Sequence, residues 1–217
     1  SVPRFLSPSD ASDSREDQLL GTDGEKLIEY AGRKCYDSLG AGRNSVDYHK
    51  HIRDVAHGSV LEHAQYSFWI AGVSRSFTHE LVRHRVGVAI SQRSTRYVDE
   101  EQSEVVHHPL TEIYASGVTQ AQFKIVASQN RLLYKNVFTD VFNGLVKDGV
   151  DKFTAKKQAR GAARQYLENG LTTELVWSAN VRALRHVIDM RGNVAADAEI
   201  RRFAKELPRL ACACVRP

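Results

Sequence analysis

The sequence predicts an α+β domain in which helices pack on a small antiparallel sheet. Three observations carry this. Several segments repeat apolar residues at helical spacing, one segment alternates with period two and a second reads as a strand, and helices and strands are interleaved along one chain of 217 residues. A chain of that length buries one core, and no linker-like interior stretch divides it, so the expectation is a single domain over residues 23–217. The Ser- and Asp-rich residues 1–22 read as a peripheral or mobile strap without the apolar region of a secretion signal.

The first helix begins at Thr22 and Asp23, which can cap it, and carries Leu27, Ile28, Ala31 and Cys35 to about Tyr36. After the loop DSLGAGRNS, Ser45 is read as the cap of a second helix with Ile52, Val55 and Ala56 on one edge. Gly58 is read as its stop, which leaves His57 at a helix end. In EHAQYSFWIA, Ala64, Tyr66, Phe68 and Ile70 alternate with polar or outward positions, the pattern of a half-buried strand. SRSFTHELVRHR follows as a helix running into the arginine-rich motif. The segment Thr119 to Lys147 is the longest helix, with Phe123, Val126, Asn130, Leu133, Val137 and Val141 at helical steps. Thr154 to Tyr166 is a further helix, LTTELVW a strand and VRALRHVIDMR a helix. The last helix starts at Asp197 and is expected to kink or break at Pro208.

Composition narrows the function classes. Hydrophobic content is 42% and charged content 26%, and no apolar run reaches bilayer-spanning length, so an integral membrane protein is not expected. The three cysteines Cys35, Cys212 and Cys214 form no disulfide framework and fit reduced thiols in the cytoplasm. A net charge of +4 permits an anionic ligand but falls short of a dense basic stripe for nucleic acid. Of the nine histidines, His57 and His63, and His79 and His84, lack the four-residue spacing that places two metal ligands on one helical face, so no metal is expected. Neither standard glycine-rich phosphate loop nor a nucleophile elbow is present.

Two basic clusters remain. RHRVGVAISQRSTRY, residues 83–97, holds four arginines and a histidine, and NVRALRHVIDMR places Asn180, Arg182, His186 and Arg191 on one helix. Arg164 lies upstream in QARGAARQYL. A single surface arginine is ordinarily solvated or salt-bridged. Two separated clusters with uncharged hydrogen-bonding neighbours are accounted for by two anionic ligands. A non-catalytic nucleotide- or RNA-binding module is the rival reading. Such modules stack exposed aromatics on bases, whereas aromatic content here is 8% and no basic and aromatic repeat accompanies Tyr66, Phe68 and Trp69.

HGSVLEHAQYSFWI, then VSRSFTHELVRHR followed after eight residues by STRY, resembles the flavin-dependent thymidylate synthases (ThyX family), whose hallmark is RHR, seven or eight residues, then Ser. Here these are Arg83, His84, Arg85 and Ser94. The likeness continues through ARQYL and WSANVRALRHVIDMR and so covers most of the chain. It implies a ThyX-like fold and the reductive methylation of dUMP to dTMP. Methylenetetrahydrofolate would supply the carbon, and FAD reduced by NADPH the hydride.

Carried over residue by residue, the resemblance implies FAD contacts at His57, Ser59, Arg83, His84, Arg85, Gln92, Asn180, Arg182 and His186. It implies dUMP contacts at Glu80, Leu81, Val82, Arg83, Gln92, Arg93, Ser94, Thr95, Arg96, Arg164 and Arg191. Guanidinium groups suit pyrophosphate and phosphate, and short hydroxyl and amide side chains suit ribose and phosphate oxygens. Arg191 is the expected catalytic residue, a fixed cation that stabilises charge developing on the uracil ring. Ser94, with no paired base, is assigned to substrate positioning. Glu80 stands where a glutamine is usual, which requires a neighbouring arginine to offset its charge, and Ala195 stands where a histidine is frequent. A homotetramer with sites shared between subunits is the implied assembly, with neither nucleic acid nor membrane as a partner.

Overall fold

The computed structural model describes residues 19–211, so Cys212, Cys214 and most of the expected N-terminal strap lie outside the described residues. Helix α1 (Asp23–Cys35) starts with a capping box in which Thr22 accepts from the Glu25 amide and the Glu25 carboxylate accepts from the Thr22 amide. Helix α2 (Ser45–Asp54) is capped by Asn44, one residue before the expected Ser45. The Asn44 side chain accepts from the Asp47 amide at 3.0 Å, and Ser45 instead accepts from the Leu20 amide at 3.1 Å. The helix ends at Asp54, and Gly58 opens a 3₁₀ turn to Glu62 where a helix stop was expected. His57 is therefore on a connector, between the left-handed Ala56 and that turn.

Three strands form the sheet: β1 (Gln65–Ser74), β2 (Val88–Gln92) and β3 (Thr172–Asn180). The order is β1–β3–β2 and both pairings are antiparallel, so the longest-range pairing puts β3 in the centre. Trp177 of β3 stands opposite Phe68 on one side and Ile90 on the other, with the Phe68 and Trp177 rings stacked 5.8 Å apart. That face, with Ile70, Leu175 and Ala179, joins the core. The other face leaves Trp69 and Val176 exposed.

The helix expected to continue into the arginine motif is short: α3 (Arg75–Leu81). The Arg83 and His84 amides reach only three residues back, to the Glu80 and Leu81 carbonyls. Gly87, at φ +72, then turns the chain into β2, a strand not expected from the sequence. Helix α4 (Pro109–Tyr114) was also not expected, and the proline occupies its first turn. Helix α5 (Gly117–Lys147) packs along α6 (Lys152–Ala163), which passes into a 3₁₀ turn at Arg164–Tyr166.

Helix α7 (Val181–Arg191) follows β3 directly, and α8 (Ala198–Leu210) runs through Pro208 without a break. The proline falls in the last turn, where it removes a bond at the helix end only, while Ile200, Ala204 and Leu207 anchor the face in the core. Helices α1, α3, α7 and α8 all contribute to the core on the sheet, and this gives the single α+β domain. Among the described residues no helix is long and apolar enough to cross a membrane.

Candidate functional site

The hydrogen bonds gather the expected site residues into separate groups. The first lies where the end of α7 meets the end of α3. The Arg191 guanidinium donates through Nε to His84 Nε2 at 2.9 Å, through Nη1 to the Glu80 carboxylate at 2.6 Å and through Nη2 to the Glu80 carbonyl at 3.3 Å. His84 lies edge-on to His186 with ring centroids 5.5 Å apart. Burial, then the charge of Arg191 and the neighbouring His186, hold the His84 pKa below its ordinary value. A neutral imidazole is what accepting from Arg191 requires. The carboxylate of Glu80 thus meets a cation, which answers the repulsion raised by its place in the motif.

The second group surrounds the loop after β2. Arg164 donates to the Thr95 hydroxyl at 3.3 Å, and Thr95 is buried. Both line a cavity of about 320 Å³ together with Arg75, Gln165 and Asn169. Arg75, at the start of α3, has Nη1 buried without a hydrogen-bond partner among the described residues. Burial pushes its pKa down, Glu100 pushes it up and Arg164 pushes it down again. Arg93 pairs with the buried Glu100 at 3.3 Å, and Arg160 donates to the Tyr97 carbonyl at 2.7 Å, yet among the described residues each keeps a buried Nε–H unpaired. Four guanidinium groups, on Arg75, Arg93, Arg160 and Arg164, therefore surround residues 93–100. Ser94 begins the turn, its hydroxyl accepting from the Arg96 amide at 3.3 Å, with the Arg96 side chain exposed. Arg75 and Arg160 were not singled out from the sequence. At the start of one helix and inside another, each reads as an ordinary surface residue.

A third region joins the turn after α2, the chain before β2 and the start of α7. Asn180 caps α7, its side chain accepting from the Ala183 amide at 2.9 Å, while its own amide donates to the Gly87 carbonyl at 2.9 Å. A Cβ on Gly87 would strike the Asn180 side chain. Arg182 pairs with Glu62, and a Cβ on Gly58 would lie 3.3 Å from its Nε. The Ser59, Arg83 and Arg85 side chains are exposed and make no hydrogen bond or ion pair among the described residues, so these donors are free for a ligand. Val82 is exposed beside them, and Gln92 donates to Thr78 and Thr173 at 3.1 and 3.3 Å. Leu81 is fully buried in the core, so only its backbone is available to a ligand.

A family model described as "Thymidylate synthase complementing protein" matches residues 18–214. A flavin-dependent thymidylate synthase of Mycobacterium sp. (strain KMS) is 42% identical over 200 residues, 89% of this chain and 75% of that protein. The protein of the same name from Mycobacterium tuberculosis (strain ATCC 25177 / H37Ra) is 42% identical over 214 residues, 94% of this chain and 80% of that protein. Among solved structures, the flavin-dependent thymidylate synthase ThyX from Helicobacter pylori, complexed with FAD and dUMP, shares the fold. It superposes with a TM-score of 0.62 at 23% identity over 88% of this chain and 91% of that one. With a match across nearly its whole described length and relatives this similar, the chain belongs to the family of flavin-dependent thymidylate synthases.

Proposed function

We propose that the chain converts dUMP to dTMP, taking the carbon from 5,10-methylenetetrahydrofolate and the hydride from FAD that NADPH has reduced. The observation that carries this reading is the cavity of Arg75, Thr95 and Arg164. A buried guanidinium N–H with no partner, as on Arg75, costs free energy unless a ligand satisfies it, and this cation with Arg164 beside the Thr95 hydroxyl matches a nucleotide phosphate. Arg164, Thr95, Ser94 and Arg96 take the phosphate end in this reading, with Arg75 added to them.

Arg191 is the activating residue. Its three bonds fix the plane of the guanidinium, and each Nη retains a second N–H for the edge of a uracil ring. That fixed cation favours ionisation of the ring. Glu80 and His84 are positioning residues, one by charge and backbone, the other as a neutral acceptor. Ser94 orients the nucleotide and is not a nucleophile.

The free guanidinium groups of Arg83 and Arg85, the Ser59 hydroxyl and the backbone approaches at Gly58 and Gly87 suit a dinucleotide, and His57, Asn180, Arg182, His186 and Gln92 complete that set. Bound there, FAD supplies hydride chemistry that no side chain of the chain can supply. The assembly in this reading is a homotetramer with shared sites, which the exposed apolar residues of α5 favour. With reduced thiols, the enzyme is cytoplasmic.

The first test is an absorbance spectrum of the purified protein, followed by an assay of dTMP formation. The expected protein is yellow, or becomes so with added FAD, and forms dTMP only with dUMP, NADPH and methylenetetrahydrofolate together. A colourless protein that takes up no FAD favours the non-catalytic binding module.

A further inference from the structure

Glu168 places a carboxylate in the wall of the cavity that holds Arg75 and Arg164, and among the described residues neither cation pairs with it. Its oxygens are held from α5 instead. Oε1 accepts from Arg131 Nη1 at 3.3 Å, and Oε2 accepts from Asn130 Nδ2 at 3.1 Å. The backbone beside it is pinned to the start of α3, where the Arg75 amide donates to the Leu171 carbonyl at 3.0 Å and the Ser76 amide to the Asn169 carbonyl at 2.9 Å. Glu168 and Asn169 also line a second cavity, of about 370 Å³, whose other walls include Val105, Phe123 and Val126. The two residues thus form a partition, with cations and a hydroxyl on one side and mainly apolar side chains on the other.

The guanidinium charges around this cavity are not all available to a ligand. Arg93 is offset by Glu100, Arg160 by Asp99 at 3.6 Å, and Arg131 by Glu168 itself. Arg75 and Arg164 remain, and Arg75 offers its buried Nη1. A phosphate monoester carries a charge of about −1.5 to −2 near neutral pH, which two cations balance. A second phosphate in the same cavity meets a carboxylate and the partition behind it, and the described residues of the lining include no third cation.

We propose that Glu168 is a specificity-determining residue that confines this cavity to a single phosphate group, so that a nucleoside monophosphate binds and a nucleoside diphosphate is rejected. The inference rests on the function proposed above, which puts the nucleotide phosphate here. Rejection comes from like charge set against the longer ligand, while the shorter one meets only the two cations and the Thr95 hydroxyl. The hold from α5 belongs to the same device. A carboxylate released from Asn130 and Arg131 would itself be drawn to Arg75 and take the place of the phosphate.

Calorimetric titration of the FAD-loaded protein with dUMP and with dUDP tests this. The unsubstituted protein is expected to bind dUMP more tightly by about thirtyfold. Glu168→Gln keeps the size and a carbonyl acceptor for Arg131 but removes the charge, and it raises dUDP affinity about tenfold and dUMP affinity about twofold. Glu168→Asp keeps the charge, and the preference for dUMP stays within about threefold of its original value. Equal binding of dUMP and dUDP by the unsubstituted protein overturns the proposal whether or not either variant folds, since the second phosphate then reaches another cation such as the exposed Arg96. A Glu168→Gln variant whose two affinities rise together or stay unchanged also overturns it. So does a Glu168→Asp variant that accepts dUDP, because shape and not charge then decides. Inorganic phosphate and pyrophosphate, titrated into the protein as purified, separate this result from the function reading. If phosphate is preferred, and Glu168→Gln loses the preference, in a protein that neither takes up FAD nor forms dTMP, the function reading falls and the single-phosphate cavity stands.

Discussion

Arg191 shows how much one side chain depends on its neighbours. A lysine keeps the charge but cannot donate at once to His84, to the Glu80 carboxylate and to the Glu80 carbonyl. Arg191→Lys is expected to keep the fold and FAD binding while dTMP formation falls on the order of a hundredfold. Turnover close to that of the unsubstituted enzyme removes Arg191 from the activating role. Ser94→Ala, by contrast, retains measurable dTMP formation with weaker dUMP binding, and complete loss of chemistry at intact affinity would reinstate a serine nucleophile. Histidines set the pH behaviour. His84 and His49 both have pKa values lowered from 6.5, mainly by burial, so the unfolded chain binds more protons than the folded one as pH falls through that value. Their contribution to stability is complete above about pH 6.5 and is lost progressively below it. Thermal melts between pH 8 and 5.5, the range about the ordinary histidine value, should show Tm falling on the acid side, and a flat profile contradicts the assignment of a neutral His84.

At the scale of elements, the junction of Gly87 with Asn180 joins the turn into β2 to the cap of α7. Asn180→Ala removes the side-chain acceptor of the Ala183 amide and is expected to cost about 1 kcal/mol. Gly87→Ala is expected to cost more, because it forces a side chain into a left-handed backbone and against Asn180 at the same time. Denaturant unfolding of the two variants gives the order directly, and equal or reversed losses refute the shared junction. The same junction marks where sequence reading stopped short. Helix α7 and strand β1 were legible because each carries a sustained period, helical in one and two-residue in the other. Strand β2 is five residues long inside an arginine-rich motif, and its Val88 and Ile90 are too brief an alternation to separate from a loop. The preceding helix was overextended because Gly87's φ, unlike an apolar period, is set by the β2–β3 pairing. In the site, the two basic clusters were visible, but Arg75 and Arg160 join them only through tertiary packing.

For the whole molecule, α5 carries the clearest sign of assembly. It has 31 residues, yet Tyr134 is its one buried residue among those described. The spacing of its apolar residues was legible in the sequence, but the burial was not, since Val126 and Leu133 remain exposed. Val118, Ile125 and Leu132, at 72%, 57% and 59% exposure, recur every seven residues and so form one stripe along the helix. Water against such a stripe is unfavourable, and a second subunit would remove it. If sites are completed across subunits, FAD binds the assembled form in preference and stabilises it by mass action. Added FAD should then raise Tm and shift mass toward the tetramer together, as read by thermal melts and light scattering at low protein concentration. Leu132→Glu places a charge on the stripe and is expected to yield smaller species with weakened FAD binding, although Leu132 lies outside every group assigned to the cofactor. Arg83→Ala should weaken the FAD-driven shift while leaving the stripe intact. A monomer that binds FAD tightly and forms dTMP refutes the shared site, and the Arg75–Arg164 and Arg191 groups must then serve one nucleotide within a single chain.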